Sequence, residues 1–392
     1  MPAPFNPNMT ATFAPPVMEA RRWIEGLNFP EARPLINVSQ AAPVEPPPPE
    51  MRDAMAEIVR NTPQAHLYGA VLGLPALRAA LADRFAREYG GAITSENVAI
   101  TAGCNEAFTA AIATLAAPGD EVILPTPWYF NHKMALDMGG QTAVPLATGP
   151  DLIPEPDAAA RLITPKTRAI VLVTPNNPGG AEYPPGTMRA FRDLARARGL
   201  ALIVDETYRD FHSQPGAPHD LFADPGWDDT LIQLYSFSKA YRLTGHRVGA
   251  LIAGPARLRE VEKYLDTVTI CPPQLGQHAA LWGLKNLSDW LAAERLEILA
   301  RREAITRAIG GLAGWQIIGS GAYFAYCTHP FDAPSDVLAR RLVTEAGILA
   351  LPGTMFMPAG DAAGARQMRI AFANLDVPGI EVLAARLAEL GG

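Results

Sequence analysis

The residues best placed to do chemistry lie in one run, Tyr235-Ser236-Phe237-Ser238-Lys239-Ala240-Tyr241-Arg242-Leu243-Thr244-Gly245-His246-Arg247-Val248-Gly249. It follows the mostly apolar stretch Thr230 to Leu234. That stretch reads as a buried strand ending in two hydroxyls, Ser236 and Ser238, and the ammonium of Lys239. An ammonium at the rim of a buried strand is costly unless it is paired or converted. An amine that condenses with an aldehyde to a Schiff base sheds that charge or shares it with a cofactor. Arg247, eight residues on and beyond Gly245, offers a planar fork suited to a phosphate.

An aldehyde-capturing lysine beside a phosphate anchor points to pyridoxal phosphate, and other segments end in groups of matching kinds. Asn97 to Ala107 reads as a short buried strand, a glycine turn at Gly103 and the start of an alanine-rich helix, whose free N–H groups form a ready anion site. Glu121 to His132 is a strand leaving the cluster Trp128-Tyr129-Phe130 at its carboxyl end, where a flat ring can stack on a pyridine. Ala169 to Val173 is a continuous apolar strand that runs into Thr174-Pro175-Asn176-Asn177-Pro178-Gly179-Gly180, residues that also suit an ordinary turn. Leu200 to Val204 is another, with a carboxylate, Asp205, where the apolar run stops. A buried carboxylate needs a cation, and a protonated pyridine nitrogen is one; an aspartate there also suits a helix cap.

Ser-x-Ser-Lys-x-x-x-x-x-Gly-x-Arg-x-Gly, as it stands from Ser236 to Gly249, resembles the signature of the class I/II aminotransferases, the fold-type I pyridoxal-phosphate enzymes. The resemblance covers almost the whole chain and implies roles residue by residue. Lys239 holds the cofactor, with Ser236, Ser238 and Arg247 at its phosphate. The phosphate cup matches Gly103-Cys104-Asn105. The aromatic-x-Asn-His pattern picks Tyr129 as the stacking ring and makes His132 the partner of Asp205, which faces the ring nitrogen. Asn177 and Tyr208 reach the phenolic oxygen. Tyr68, in Tyr68-Gly69-x-x-x-Gly73, crosses a dimer interface to the neighbouring subunit's phosphate, which implies a homodimer with shared active sites. Arg369, otherwise a lone strand arginine of the solvated edge kind, becomes the clamp for the substrate's α-carboxylate. The peptide bonds before Pro127 and Pro178 are expected to be cis. The chain departs from the family where alanines at 41 and 42 replace its Gly-x-Pro element and Met357 replaces a glycine, so residues 35–43 receive no assigned contact.

The expected fold is therefore α/β: a large cofactor-binding domain over 45–285 with a mostly parallel central sheet between helices, and a smaller α+β domain built from 286–392 with the N-terminal segment 1–44. A chain of 392 residues exceeds the size at which one core keeps growing. A short helix is expected over Val17 to Leu27, an extended linker at Pro46 to Pro49, and long helices over Pro255 to Asp266 and Gln274 to Ile309, the last interrupted near Asn286 to Asp289. With 48% hydrophobic and 19% charged residues and a net charge of -7, nothing favours nucleic acid or an anionic membrane. Three cysteines without metal spacing suit a reducing compartment. No leader-like segment or membrane-length apolar run is apparent, so a cytoplasmic location is expected.

The expected activity is ping-pong transamination between an L-amino acid and a 2-keto acid. Two other readings share these residues: β-elimination by a lyase of the same fold, which would yield pyruvate and ammonia without an acceptor, and a non-catalytic cofactor-binding regulatory module. No second arginine can be placed for a dicarboxylate side chain. Trp128, Tyr323 and Phe324 would suit aromatic or aliphatic substrates.

Overall fold

Strands that are apolar on both faces need cover on both sides, and the chain supplies it with helices. In the computed structural model, which describes residues 3–390, seven strands form one sheet: β1 (Val98–Thr101), β2 (Glu121–Thr126), β3 (Thr142–Ala147), β4 (Thr167–Val173), β5 (Ala201–Asp205), β6 (Leu231–Ser236) and β7 (Gly249–Ile252). Their order is β1-β7-β6-β5-β4-β2-β3. β7 runs antiparallel to both neighbours and the other pairs are parallel. Successive residues split between two cores, as a period of two requires. Ile170, Leu202 and Tyr235 join Phe85 on one face, and Val171, Ile203 and Leu234 join Phe108 on the other.

The register sets the site. Val173 pairs with Asp205, and Asp205 with Leu234, so β4, β5 and β6 end at one level, where the chain turns polar at Asn177, Asp205 and Ser236. The carboxyl ends of parallel strands are the usual ligand edge of such a sheet.

A second sheet is wholly antiparallel, with β8 (Gln316–Gly321), β9 (Phe324–Thr328), β10 (Leu351–Pro352) and β11 (Gln367–Ile370) in the order β10-β11-β9-β8. Its core includes Phe324, Ile370, Ile305 and Leu383, the last two from helices Ser288–Gly310 and Val377–Glu389. The chain reaches it through helices Gln274–Asn286 and Ser288–Gly310, broken at Leu287 inside the expected interval. Ile36–Asn37 pairs in parallel with Ile348–Leu349, which ties the N-terminal segment to this part of the molecule.

Two local expectations change. The helix expected over Val17 to Leu27 is Pro16–Arg22; proline suits its first position, and the chain leaves it in a turn that reaches Gly26 at φ 76°. Of the proline run, Pro49 is not linker but the first residue of helix Pro49–Asn61, where its missing N–H removes nothing the helix needs. Between the two sheets the backbones touch directly. A Cβ on Gly180 would overlap the backbone of Gly321, one on Gly321 the carbonyl of Gly180, and one on Gly319 the carbonyl of Gly179.

Candidate active site

A cavity of about 470 Å³ opens at the carboxyl edge of β4, β5 and β6, and Lys239, Asp205, Tyr208, Asn177, Arg247 and Arg369 all line it. β6 gives way at once to the one-turn helix Phe237–Ala240, capped by Ser236, whose Oγ accepts the Ser238 N–H at 3.2 Å. That turn carries Lys239 into the cavity, where its Nζ donates to the Ala41 carbonyl at 2.6 Å. Burial, then the positive fields of Arg247 and Arg369, lower the Lys239 ammonium to about 7. Near neutral pH the amine is therefore in large part uncharged, the form that attacks a carbonyl.

Asp205 closes β5 at 3% exposure. Burial alone would raise its carboxyl, but His132 Nε2 at 3.2 Å from Oδ2 and the Thr207 N–H, which donates to Oδ1 at 2.9 Å, hold it below the ordinary carboxylate value. His132 is itself fixed by stacking on Phe108, ring centroids 3.9 Å apart. The result is a buried anion lining the cavity.

At the start of helix Cys104–Ala113, Gly103 adopts φ 92° and leaves the first-turn N–H groups open. The Arg247 guanidinium occupies the space a Cβ on Gly103 would need, and a Cβ on Gly249 would come 2.6 Å from the Gly103 carbonyl carbon. Both glycines are required for strand, turn and arginine to meet. Arg247 itself sits at φ 51°, which costs an L residue about 1 kcal/mol. Asn105, Ser236 and Ser238 line the same cavity. Cys104 does too, but burial, then Asp205, raise its thiol well above the usual range, so it stays a neutral filler.

Tyr129 hangs over the site with its hydroxyl accepting from Asn131 Nδ2 at 2.9 Å and donating to Asn105 Oδ1 at 3.4 Å. Its ring stands edge-on to His132, 4.9 Å away. Tyr208 is buried and burial pushes its phenol up, so it keeps a proton to donate.

Arg369, on β11 opposite Tyr326, is 2% exposed and packed among Phe356, Phe324 and Phe130 at 4.9, 5.2 and 5.9 Å. Nη1 donates to Asn177 Oδ1 at 3.0 Å, Nη2 to the Ser39 carbonyl, and the buried Nε has no partner. Burial lowers its pKa to about 10. A buried guanidinium bonded only to neutral oxygens, with a donor left over, is prepared for an anion from outside. Together with the buried Asp205, the near-neutral Lys239 and the anion-ready turn at Gly103, it makes a cavity whose donors and acceptors match an aldehyde, a pyridinium, a phosphate and a carboxylate. Pyridoxal phosphate with an amino acid fits the set.

The peptide bonds before Pro127 and Pro178 are cis, and so is Thr174–Pro175, which the sequence did not suggest. Tyr68 is 80% exposed and does not line this chain's own cavity. Three residues suited to an aromatic or aliphatic side chain do not line the cavity. Trp128 is buried beside a separate small void, and Tyr323 and Phe324 belong to the core of the second sheet, where both rings pack against Tyr208.

Other groups at the cavity carried no signal in the sequence. Ser39 and Ala41 act through backbone carbonyls, and the strap they belong to is held by Asn374. Its Nδ2 donates to Asn37 O at 3.1 Å and Gln40 O at 2.7 Å, and its Oδ1 accepts from Ala42 N at 3.3 Å. Val17 and Gln40 line the cavity as well. Val17 entered the sequence reading only as the first residue of the short helix expected over Val17 to Leu27.

The sequence pattern of the family described as aminotransferase class I and II matches residues 33–387. Among curated proteins, the aspartate/prephenate aminotransferase of Thermus thermophilus is 31% identical over 309 residues, which are 75% of this chain and 77% of that one. The arginine–pyruvate transaminase of Pseudomonas aeruginosa is 32% identical over 301 residues, 74% and 75% of the two chains. Among solved structures, the aspartate aminotransferase from Thermus thermophilus with maleate superposes with a TM-score of 0.89 at 24% identity, over 99% of this chain and 100% of that one. The alanine aminotransferase from Pyrococcus furiosus gives 0.86 at 25% identity, over 99% of each chain.

Proposed function

This chain belongs to the class I and II aminotransferase family, pyridoxal-phosphate enzymes of fold type I, and from that premise we propose that Lys239, Asp205 and Arg369 carry its transamination of an L-amino acid with a 2-keto acid. The observation that carries the assignment is one cavity holding a lysine amine of pKa about 7, a buried aspartate and a buried arginine without a carboxylate partner. When bound, pyridoxal phosphate supplies an aldehyde and an electron-withdrawing ring that stabilises negative charge on the substrate's α-carbon.

Lys239 would hold the aldehyde end. Arg247, Ser236, Ser238 and the N–H groups of Gly103-Cys104-Asn105 would hold the phosphate. Tyr129 would pack on the ring, Asn177 and Tyr208 would bind the phenolic oxygen, and Asp205, backed by His132, would keep the ring nitrogen protonated. Arg369 pairs with the substrate's α-carboxylate through its unpartnered side and so turns the α-proton toward Lys239 Nζ. The amine of Lys239, freed when the substrate's amino group takes its place at the aldehyde, would then accept that proton at Nζ and return one, and a pKa near neutrality suits both directions.

The test is a half-reaction. Mixed with an L-amino acid and no acceptor, the holoenzyme should lose the absorbance of its bound cofactor and release one keto acid per site, and a second keto acid should restore the starting spectrum. Continuous ammonia release without an acceptor would replace transamination with elimination.

The active form is proposed as a homodimer in which Tyr68 reaches the neighbouring subunit's phosphate. Leu67 and Tyr68 are exposed, as are Val268 and Ile270, and the two loops meet where Gly69 N–H donates to Cys271 Sγ at 3.4 Å. A solution mass of two chains is expected; a monomer with full activity would remove Tyr68 from the site. The division into a large domain over 45–285 and a smaller one over 1–44 and 286–392 belongs to the same proposal. So does a cytoplasmic location, which suits three free thiols. Among the described residues no helix is long and apolar enough to cross a membrane.

A further inference from the structure

Resting on the transamination reading, we infer that the amino acid carries an uncharged, mainly apolar side chain, and that Val17 helps select it. The charges on the cavity wall are four: Asp205, Lys239, Arg247 and Arg369. Each is matched to a part common to every substrate or to the cofactor, the ring nitrogen, the aldehyde, the phosphate and the α-carboxylate. None of this chain's charges is left to meet a second carboxylate or a second ammonium, and the exposed residues of the loops proposed to meet the partner subunit, Leu67, Tyr68, Val268 and Ile270, are uncharged.

What remains of the wall is neutral. Phe130, against which the Arg369 guanidinium packs at 5.9 Å, belongs to the same apolar cluster as Val17, so the wall beside the carboxylate clamp is hydrocarbon. The uncharged polar groups nearby already have partners. Asn131 and Asn105 are bonded to the Tyr129 hydroxyl, and Gln40 Oε1 accepts from Arg21 Nη2 at 2.6 Å. Arg21 is exposed and is not part of the cavity wall. A charged side chain would therefore lose its water and gain no counter-ion, while a branched or aromatic one would lose only water it binds weakly. Val17 stands on helix Pro16–Arg22, so a longer cationic side chain at 17 would bring to the wall the counter-ion it lacks.

The experiment is the half-reaction rate of the holoenzyme with leucine, phenylalanine, aspartate, glutamate and lysine, repeated on Val17→Arg. In the unsubstituted protein kcat/KM for leucine or phenylalanine should exceed that for each charged amino acid by about tenfold or more. In Val17→Arg the aspartate-to-leucine ratio should rise by at least about tenfold, with cofactor affinity, read by fluorescence titration, unchanged. A native preference for aspartate, glutamate or lysine overturns the inference, and its disappearance in Arg21→Ala would identify the mouth as the source of the missing cation. An unchanged ratio in Val17→Arg overturns the part given to Val17. If no amino acid reacts at all, the transamination reading fails and this inference with it.

Discussion

Lys239→Ala is expected to reduce turnover by about four orders of magnitude or more, since proton transfer by a positioned side chain alone contributes roughly 10²- to 10⁴-fold and this lysine also holds the cofactor. The variant should still bind pyridoxal phosphate through the groups at the Gly103 turn and Arg247, but with the spectrum of the free aldehyde. Turnover within tenfold of the parent would remove Lys239 from the chemistry. The same lysine sets a pH dependence whose sign follows from its depressed pKa. Capture of the aldehyde needs the uncharged amine, and with the ammonium at about 7 the uncharged fraction grows as pH rises through neutrality. The rate at which apoenzyme takes up pyridoxal phosphate should climb about tenfold per pH unit below that value and level off above it. An inflection at the ordinary lysine value would mean that burial and the two arginines do not act on this amine.

Arg369→Ala is expected to lower kcat/KM by about 10²- to 10³-fold. Truncating one partner of a buried charge pair costs about 2–5 kcal/mol, and each 1.4 kcal/mol is about tenfold. The loss should appear for every amino acid, because the α-carboxylate is common to all, and in parallel in the affinity of a plain carboxylate inhibitor. Arg369→Lys should recover only part of it. An ammonium can meet the carboxylate but cannot also span Asn177 and Ser39 as the planar fork does. Cofactor affinity should stay close to that of the parent, which separates a lost clamp from a disordered cavity. A change in kcat/KM smaller than threefold would reassign Arg369 to structure.

How much of this was legible beforehand varied with what each residue does. β4 and β5 announced themselves as apolar runs, and Asp205 stood out because a carboxylate ended one of them. Lys239 and Arg247 were visible for the same reason, as charges where burial was about to cease. Arg369 was different. By its own pattern it reads as a solvated edge residue, and only the family resemblance gave it a role; the aromatic packing that buries it comes from residues 130, 324 and 356, far apart in sequence. The reversed direction of β7 left no trace, because a strand buried on both faces looks the same either way. The carbonyls of Ser39 and Ala41 could not have been found at all. Every residue has one, and alanine side chains say nothing about where it points.

The direct meeting of Gly180 with Gly321, and of Gly179 with Gly319, has a bearing on redesign. Asn177 stands two residues before one side of that junction, and Arg369 belongs to the sheet that forms the other. At these four glycines nothing bulkier than hydrogen separates the loop after β4 from the second sheet. One methyl there would act as a wedge and open the Asn177–Arg369 bond without touching either residue. The outer wall at Val17 can be rewritten to change what enters; the spacing between the two halves leaves no such freedom.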